Sequence, residues 1–348
     1  MKCPKAGRLL QVLSFSLVLL ALALNVWPRE ITDMAGRRVI VPDIIRRAYS
    51  SSPPVTYLIT AIDPTLLVGL NFPIAEGGKE YLPKCMHSLP VLGGFFGKGR
   101  TANIEMIMKA KPDVIVMGGP KTSSMTEKYE STLKNLGIPF VYVYFDTVAD
   151  YTEAFRFLGQ LFNKEERTAR LGKYGKDVLA EIGQTVEAIP ADRRPRVYYA
   201  EDKDGLATDC DRSYHAELIN LVGARNVHRC TPKDTMGMER ISFEQVVLYN
   251  PEVILVKEEE FFRKIFRDPG WRRIKAVREK RVYLIPGIPF NWFDRPPSFM
   301  RFLGVQWLMN CLYPQHYGKD MIKETGAFYR LFLGVAPTEK QIHRIIYG

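Results

Sequence analysis

The chain carries residues that can do chemistry, but their spacing does not assemble a catalyst. Its five histidines, His87, His215, His228, His316 and His343, are scattered, and none stands at metal-ligand spacing from another. A bare metal held by the protein alone is therefore not expected, although a single histidine such as His215 can complete the coordination of a metal complex. No Gly-x-Ser-x-Gly, no His-Glu-x-x-His and no paired Cys and His mark a hydrolytic site. The stretch Gly93-Gly94-Phe95-Phe96-Gly97-Lys98-Gly99-Arg100 fails as a phosphate loop, because Gly99 stands where Ser or Thr must follow the lysine.

What remains is the chemistry of recognition. Aromatic faces supply dispersion, and a few cations or hydrogen-bond donors orient a ligand. In the first half of the chain these come from Tyr57, Phe95, Phe96 and Arg100, with Pro54 shaping a wall. In the second half Tyr198, Tyr199, Thr208 and Arg240 follow or flank strand-like runs. The segment Phe290-Asn291-Trp292-Phe293-Asp294-Arg295 concentrates aromatics, and Pro286, Pro289 and Pro296 mark it as loop. Trp292 and Arg295 are its best-placed binding residues. Ordinary core packing competes for every aromatic here, and an ion pair to Asp294 or another acid competes for Arg295. Such a set suits a large, partly aromatic, often anionic ligand, and no cofactor is implied.

The elements that position these residues repeat. Residues 103–116 and 242–255 share a helix-like apolar spacing, a Pro-acid break and a β-branched run, at an offset of 139 residues. Glu105 matches Glu244, Pro112 matches Pro251 and Asp113 matches Glu252. Two copies of a helix–strand unit predict two similar α/β lobes with mostly parallel sheets. Residues 44–49 read as a strand running into Ser51-Ser52-Pro53-Pro54, where proline forbids helix; a helix then begins at Thr56. Residues 138–145, 196–200 and 281–285 read as further strands. Lys164 to Ile189 spaces its apolar residues by threes and fours, as one long amphipathic helix. This divides the chain into a first lobe at 29–150, a connecting segment at 151–192 and a second lobe at 193–348, with two helices in the C-terminal part. Loops at the carboxyl edges of such sheets bind ligands, so the cleft lies between the lobes.

Length and composition agree with this outline. The 348 residues exceed what one core usually serves, with 46% hydrophobic and 25% charged residues, a globular balance. The net charge of +11 is spread in short pairs such as Arg46-Arg47, which is no nucleic-acid surface. Residues 1–26 have a positive start, an apolar run from Leu9 to Leu24, and Ala21 and Ala23 before a cleavage point. They read as a signal peptide or a retained anchor, placing the folded part in the periplasm or on the outer face of the cytoplasmic membrane. Cys85, Cys210, Cys230 and Cys311 follow, and can be free thiols or pair in three ways; Cys210 with Cys230 is the preferred pair.

Taken together, these features resemble the substrate-binding proteins of ABC importers for iron–siderophores, haem and cobalamin. Ile31-Thr32-Asp33-Met34-Ala35-Gly36-Arg37, followed by Val41-Pro42, is similar to that family's N-terminal start. Asn103-Ile104-Glu105 with Lys111-Pro112-Asp113, and Ile241-Ser242-Phe243-Glu244, resemble its two lobe hallmarks. Asn291 to Arg295 is similar to a cleft segment of the cobalamin-binding member. The resemblance implies a monomer that captures a metal chelate, closes modestly around it, and delivers it to a permease without chemistry on the ligand. It implies that Glu105 and Glu244, one per lobe, dock into arginine pockets of that permease. An iron–siderophore leads among the cargoes, ahead of cobalamin, haem or a small nickel or iron complex. The alternative of another class is an exported hydrolase with its site in the same cleft.

Overall fold

A computed structural model of the chain describes residues 28–95, 101–119, 125–230 and 237–348. The expected signal peptide or anchor at residues 1–26 and two of the expected binding residues, Phe96 and Arg100, lie outside the described residues. The first described element is an antiparallel hairpin, β1 (Pro28–Thr32) and β2 (Arg38–Pro42). Asp33 holds its turn by accepting from the backbone of Ala35 and Arg37. The same carboxylate accepts from the Arg37 guanidinium and from Tyr142 N, so it also ties the hairpin to the first lobe.

That lobe contains β3 (Ala48–Ser50), α1 (Pro53–Ile62), α2 (Ile104–Ala110), β4 (Val114–Gly119), α3 (Met125–Asn135), β5 (Phe140–Tyr144) and α4 (Asp150–Phe162). Its parallel sheet has the order β3-β4-β5. Buried on both faces, β4 reads Val-Ile-Val-Met-Gly-Gly, a run without polar alternation. Pro53 and Pro54, expected to keep the chain out of helix, instead open α1. In a first turn the missing N–H groups have no intrahelical partner to lose, and proline's φ is already helical. The helix therefore begins three residues before Thr56.

The connector α5 (Glu165–Glu187) follows the expected span to within two residues. Beyond it come β6 (Arg196–Ala200), β7 (Ala207–Thr208), α6 (Glu217–Leu221), β8 (Arg225–Asn226), β9 (Glu239–Arg240), α7 (Phe243–Tyr249), β10 (Val253–Val256), α8 (Glu259–Ile265), α9 (Lys275–Arg278) and β11 (Val282–Leu284). The second parallel sheet has the order β11-β10-β6-β8, and β7 pairs with β9 beside it. The repeat is thus a structural one. α2 and α7 have the same bounds at the 139-residue offset, and β4 and β10 begin at equivalent positions. Asp113 accepts from Arg46 N and Arg47 N, and Glu252 from Arg196 N, so the matched acids anchor matched strands.

Three helices end the chain: α10 (Arg301–Leu312), α11 (Met321–Phe328) and α12 (Glu339–Tyr347). One apolar core runs through Val55 and Leu58 of α1, Phe155 of α4, Leu171 and Val178 of α5, and Phe299, Phe302 and Phe332. The terminal helices thus stitch the second lobe to the connector and to the first lobe. At Gly175 of α5 an added Cβ would lie 2.4 Å from the Phe302 ring, so α5 and α10 approach as closely as glycine allows. The lobes are further joined by Tyr57 stacked on Phe290, with centroids 3.7 Å apart, and by Glu217 accepting from Val148 N. Cys210 and Cys230 form a disulfide, while Cys85 and Cys311 are free thiols.

Candidate functional site

Polar residues gather at the carboxyl ends of both sheets, for different reasons in the two lobes. In the first lobe Ser50, Thr56 and Asn71 form one buried chain: Ser50 Oγ meets Thr56 Oγ1, which donates to Asn71 Oδ1 at 2.6 Å. Asn71 Nδ2 then donates to the carbonyls of Ser50 and Gly93. Ser51 Oγ accepts from Gly118 N, and Ser52 Oγ donates to Gly118 O. These groups satisfy one another and fix the loop before α1.

The second lobe is different. Glu201, directly after β6, is fully buried beside Asp209, and Asp294 joins them from the loop after β11. The three carboxylates can surround a cation, and Arg295 supplies it. Its Nε lies 2.7 Å from Glu201 and 3.4 Å from Asp294, and its Nη2 lies 2.6 Å from Asp209. Burial pushes the Glu201 carboxyl up to about 9, and the Asp209 carboxylate adds to that rise. Burial acts to raise Asp209 as well, but Glu201 and the Arg295 charge outweigh it and hold Asp209 below the usual carboxylate range. Arg295 is held more firmly protonated by Asp294, Glu201 and Asp209 against the cost of its own burial. Its backbone has φ of 49°, a left-handed value rare for a non-glycine residue, so the surrounding structure imposes it. Gly237 closes over this group at φ of 73°; a Cβ there would fall 1.6 Å from Asp209 Oδ1.

Around that ion cluster several buried polar atoms make no hydrogen bond among the described residues. They are Tyr151 Oη on α4, Tyr199 Oη on β6, Glu201 Oε2, Thr208 Oγ1 on β7, His215 Nδ1, both Asp294 oxygens and Arg301 Nε. His215 Nδ1 is 2.5 Å from Asp294 Oδ2, but without the angle of a hydrogen bond; that proximity makes an ion pair only when the imidazole is charged. Electrostatic contact ties the set into one region. Tyr151 senses the charges of Arg301, Asp294 and Glu217, and Tyr199 those of Glu201, Asp294, Asp209 and Arg295. A buried polar atom without a hydrogen bond costs roughly 1–3 kcal/mol, a cost that Asp294 offsets by lying against His215 Nδ1 and Arg295.

The expected binding residues divide accordingly. Tyr199, Thr208 and Arg295 come together in the second lobe. Tyr57 meets Phe290 across the lobe junction, with Pro54 half-buried in the first turn of α1. Trp292 is fully buried, its Nε1 donating to Ile288 O at 3.4 Å. Tyr198 points to the other face of β6, into a separate core, and donates to Gly205 O. Phe95 packs against Tyr49 and Tyr129 in the first lobe's own core. Arg240 is exposed and paired with Asp202 and Asp204. Glu105 and Glu244 are exposed on α2 and α7. Sequence reasoning missed Tyr151, Glu201, Asp209 and Arg301, and weighed Asp294 only as an ion-pair partner. The available signal was a charged residue immediately after the apolar β6 run. A hollow of about 590 Å³ between β1 and α4, lined by residues such as Arg29, Glu30, Glu153 and Arg156, is not part of this site.

The profile of the periplasmic binding protein family matches residues 95–289. The structure is similar to an ABC transporter solute-binding protein from Sulfurospirillum deleyianum DSM 6946. That likeness has a TM-score of 0.85 and 40% identity, over 91% of this chain and 98% of that one. The molybdate-binding protein MolA of Haemophilus influenzae is 27% identical over 93% of this chain and 94% of its own length. Its molybdate-bound structure gives a TM-score of 0.71, covering 89% of this chain and 99% of that one. The haem-uptake protein IsdE of Staphylococcus aureus is 24% identical over 64% of this chain and 75% of its own.

Proposed function

Because the chain belongs to the periplasmic binding protein family, we propose that it captures a compact, oxygen-rich metal species between its lobes and hands it to an ABC permease. Membership of the family and the named roles of its relatives support a location outside the cytoplasm and a metal-related ligand. Among the described residues no helix is long and apolar enough to cross a membrane. The observation that carries the reading is the convergence of unpartnered buried polar atoms on the second lobe's cleft edge. Tyr151, Tyr199 and Thr208 offer hydroxyl donors and Arg301 offers Nε, while the proton that Glu201 keeps is shared with Asp209. Donors in that number suit the oxygens of a metal oxyanion.

A molybdate-type oxyanion is therefore the first candidate, supported by the likeness to MolA along nearly the whole chain. A ferric siderophore is the second, since its oxygens present the same acceptors; cobalamin, haem and nickel complexes rank below both. Binding needs no bond made or broken in the ligand. Capture proceeds by a modest closure of the lobes about the junction where Tyr57 stacks on Phe290. Delivery uses Glu105 and Glu244 as charged contacts to the permease. The test is uptake by cells carrying Glu105→Ala with Glu244→Ala. Uptake should fail while calorimetric ligand affinity stays unchanged; uptake at the wild-type rate would sink the delivery reading.

A further inference from the structure

The surface that meets the partner carries more than two charges. α2 and α7 are one structure built twice, capped by Asn103 and Ser242, which accept from Met106 N and Gln245 N at 3.0 and 3.2 Å. Both end on left-handed residues, Lys111 at φ of 44° and Asn250 at 39°. One inward side chain anchors each helix, Ile107 or Val246, both fully buried. Outward, three residues after Glu105 and Glu244, stand Met108 and Val247, exposed by 43% and 47%. Residues i and i+3 share a helix face, so each acid has an apolar neighbour at the equivalent place.

Four of the eight large apolar side chains exposed among the described residues lie on these two seven-residue helices: Met106, Met108, Val247 and Leu248. Leu248 is the most open of all, at 77%. Neither acid forms an ion pair among the described residues, although Lys109 stands four residues after Glu105. At that spacing Glu166 pairs with Arg170 and Glu259 with Arg263.

We propose that Met108 and Val247, with Met106 and Leu248 beside them, form two apolar pads that bind the permease together with Glu105 and Glu244. The inference rests on the importer reading above and deepens it: each half of a two-fold permease offers a cation adjoining an apolar surface. A lipid surface fits less well, because anionic headgroups repel the carboxylate that each pad carries. An acid set among apolar groups gives a contact that salt weakens only in part, since screening acts on the charge and not on the pad.

The experiment measures binding of the full chain to its importer complex in lipid nanodiscs. It compares wild type with the Met108→Ser, Val247→Ser double variant and the Glu105→Ala, Glu244→Ala double variant. The apolar double variant should bind roughly tenfold more weakly, the scale of two half-buried contacts. Its deficit should persist at high salt, and calorimetric ligand affinity should stay unchanged. Wild-type binding by the apolar variant, with loss in the acidic one, would overturn the pads and leave the importer reading standing. Wild-type binding by both variants would overturn the docking face as a whole. Equal binding to protein-free nanodiscs, abolished in the apolar variant, would assign the pads to lipid and overturn the proposal.

Discussion

Glu201→Gln is the substitution whose outcome the structure defines most narrowly. The Glu201 carboxyl is fully buried and pushed up to about 9, first by burial and then by Asp209. In an unfolded chain a glutamate titrates near about 4.3. Between those two values the folded protein keeps a proton that the unfolded chain has released. Stability from this group therefore falls as pH rises, by about 1.4 kcal/mol per pH unit, and stops falling once the folded value is passed. Asp209 has the opposite sign: its contribution is present at neutral pH and is lost only as the solution becomes acid, outside this window. Glutamine keeps the shape of the neutral acid and still accepts from Arg295 Nε, but does not titrate. From pH 6 to pH 8 the wild type should thus lose more stability than Glu201→Gln, on the order of 3 kcal/mol. Urea unfolding of both proteins at pH 6, 7 and 8, followed by circular dichroism, measures that difference. Equal pH slopes would refute the reasoning that a neutral Glu201 sits in the cluster.

Other changes test the same region from different sides. Arg295→Met leaves the buried carboxylates without their cation and should cost about 3–5 kcal/mol, read from the urea midpoint. Gly237→Ala puts a Cβ onto Asp209 and asks alanine to hold φ of 73°; a loss on the order of 1–3 kcal/mol is expected, with weaker ligand binding by calorimetry. Reducing the Cys210–Cys230 bridge opens a loop closed over a separation of 20 residues and should cost about 3 kcal/mol in thermal or urea unfolding. A Cys230→Ser variant should show the same loss and no further response to reductant.

Much of the fold was legible because its signals are local. The Glu-to-Pro spacing of residues 105–112 and 244–251 reports a helix, a left-handed cap and a buried strand, each set by neighbours in sequence. The connector was legible for the same reason, as the three- and four-residue apolar spacing of α5 records one buried face. The misreading at Pro53-Pro54 came from weighing proline as a helix breaker where a first turn uses it. The site was harder to see. Tyr151, Glu201, Thr208, His215, Asp294 and Arg301 come from six separate segments and meet only through the packing of both lobes and α10. Nothing periodic marks such residues. Aromatic enrichment drew attention to Trp292 and Phe95, yet large aromatic side chains are also what a core of this size requires, and both are buried. Arg295 was legible as a cation in a loop, but its three carboxylate partners lie 94, 86 and one residue away in sequence.

The most direct test of the central claim is a calorimetric titration of the protein with molybdate, tungstate, a ferric siderophore, haem, cobalamin and nickel–histidine. Each is repeated on a variant carrying Tyr199→Phe with Thr208→Val. Saturable binding of molybdate, or of the ferric siderophore, that is lost or weakened at least roughly tenfold in the variant is the predicted result. Binding of haem or cobalamin alone, or binding of any of the six that the variant leaves untouched, would contradict a polar, oxygen-recognising seat in the second lobe.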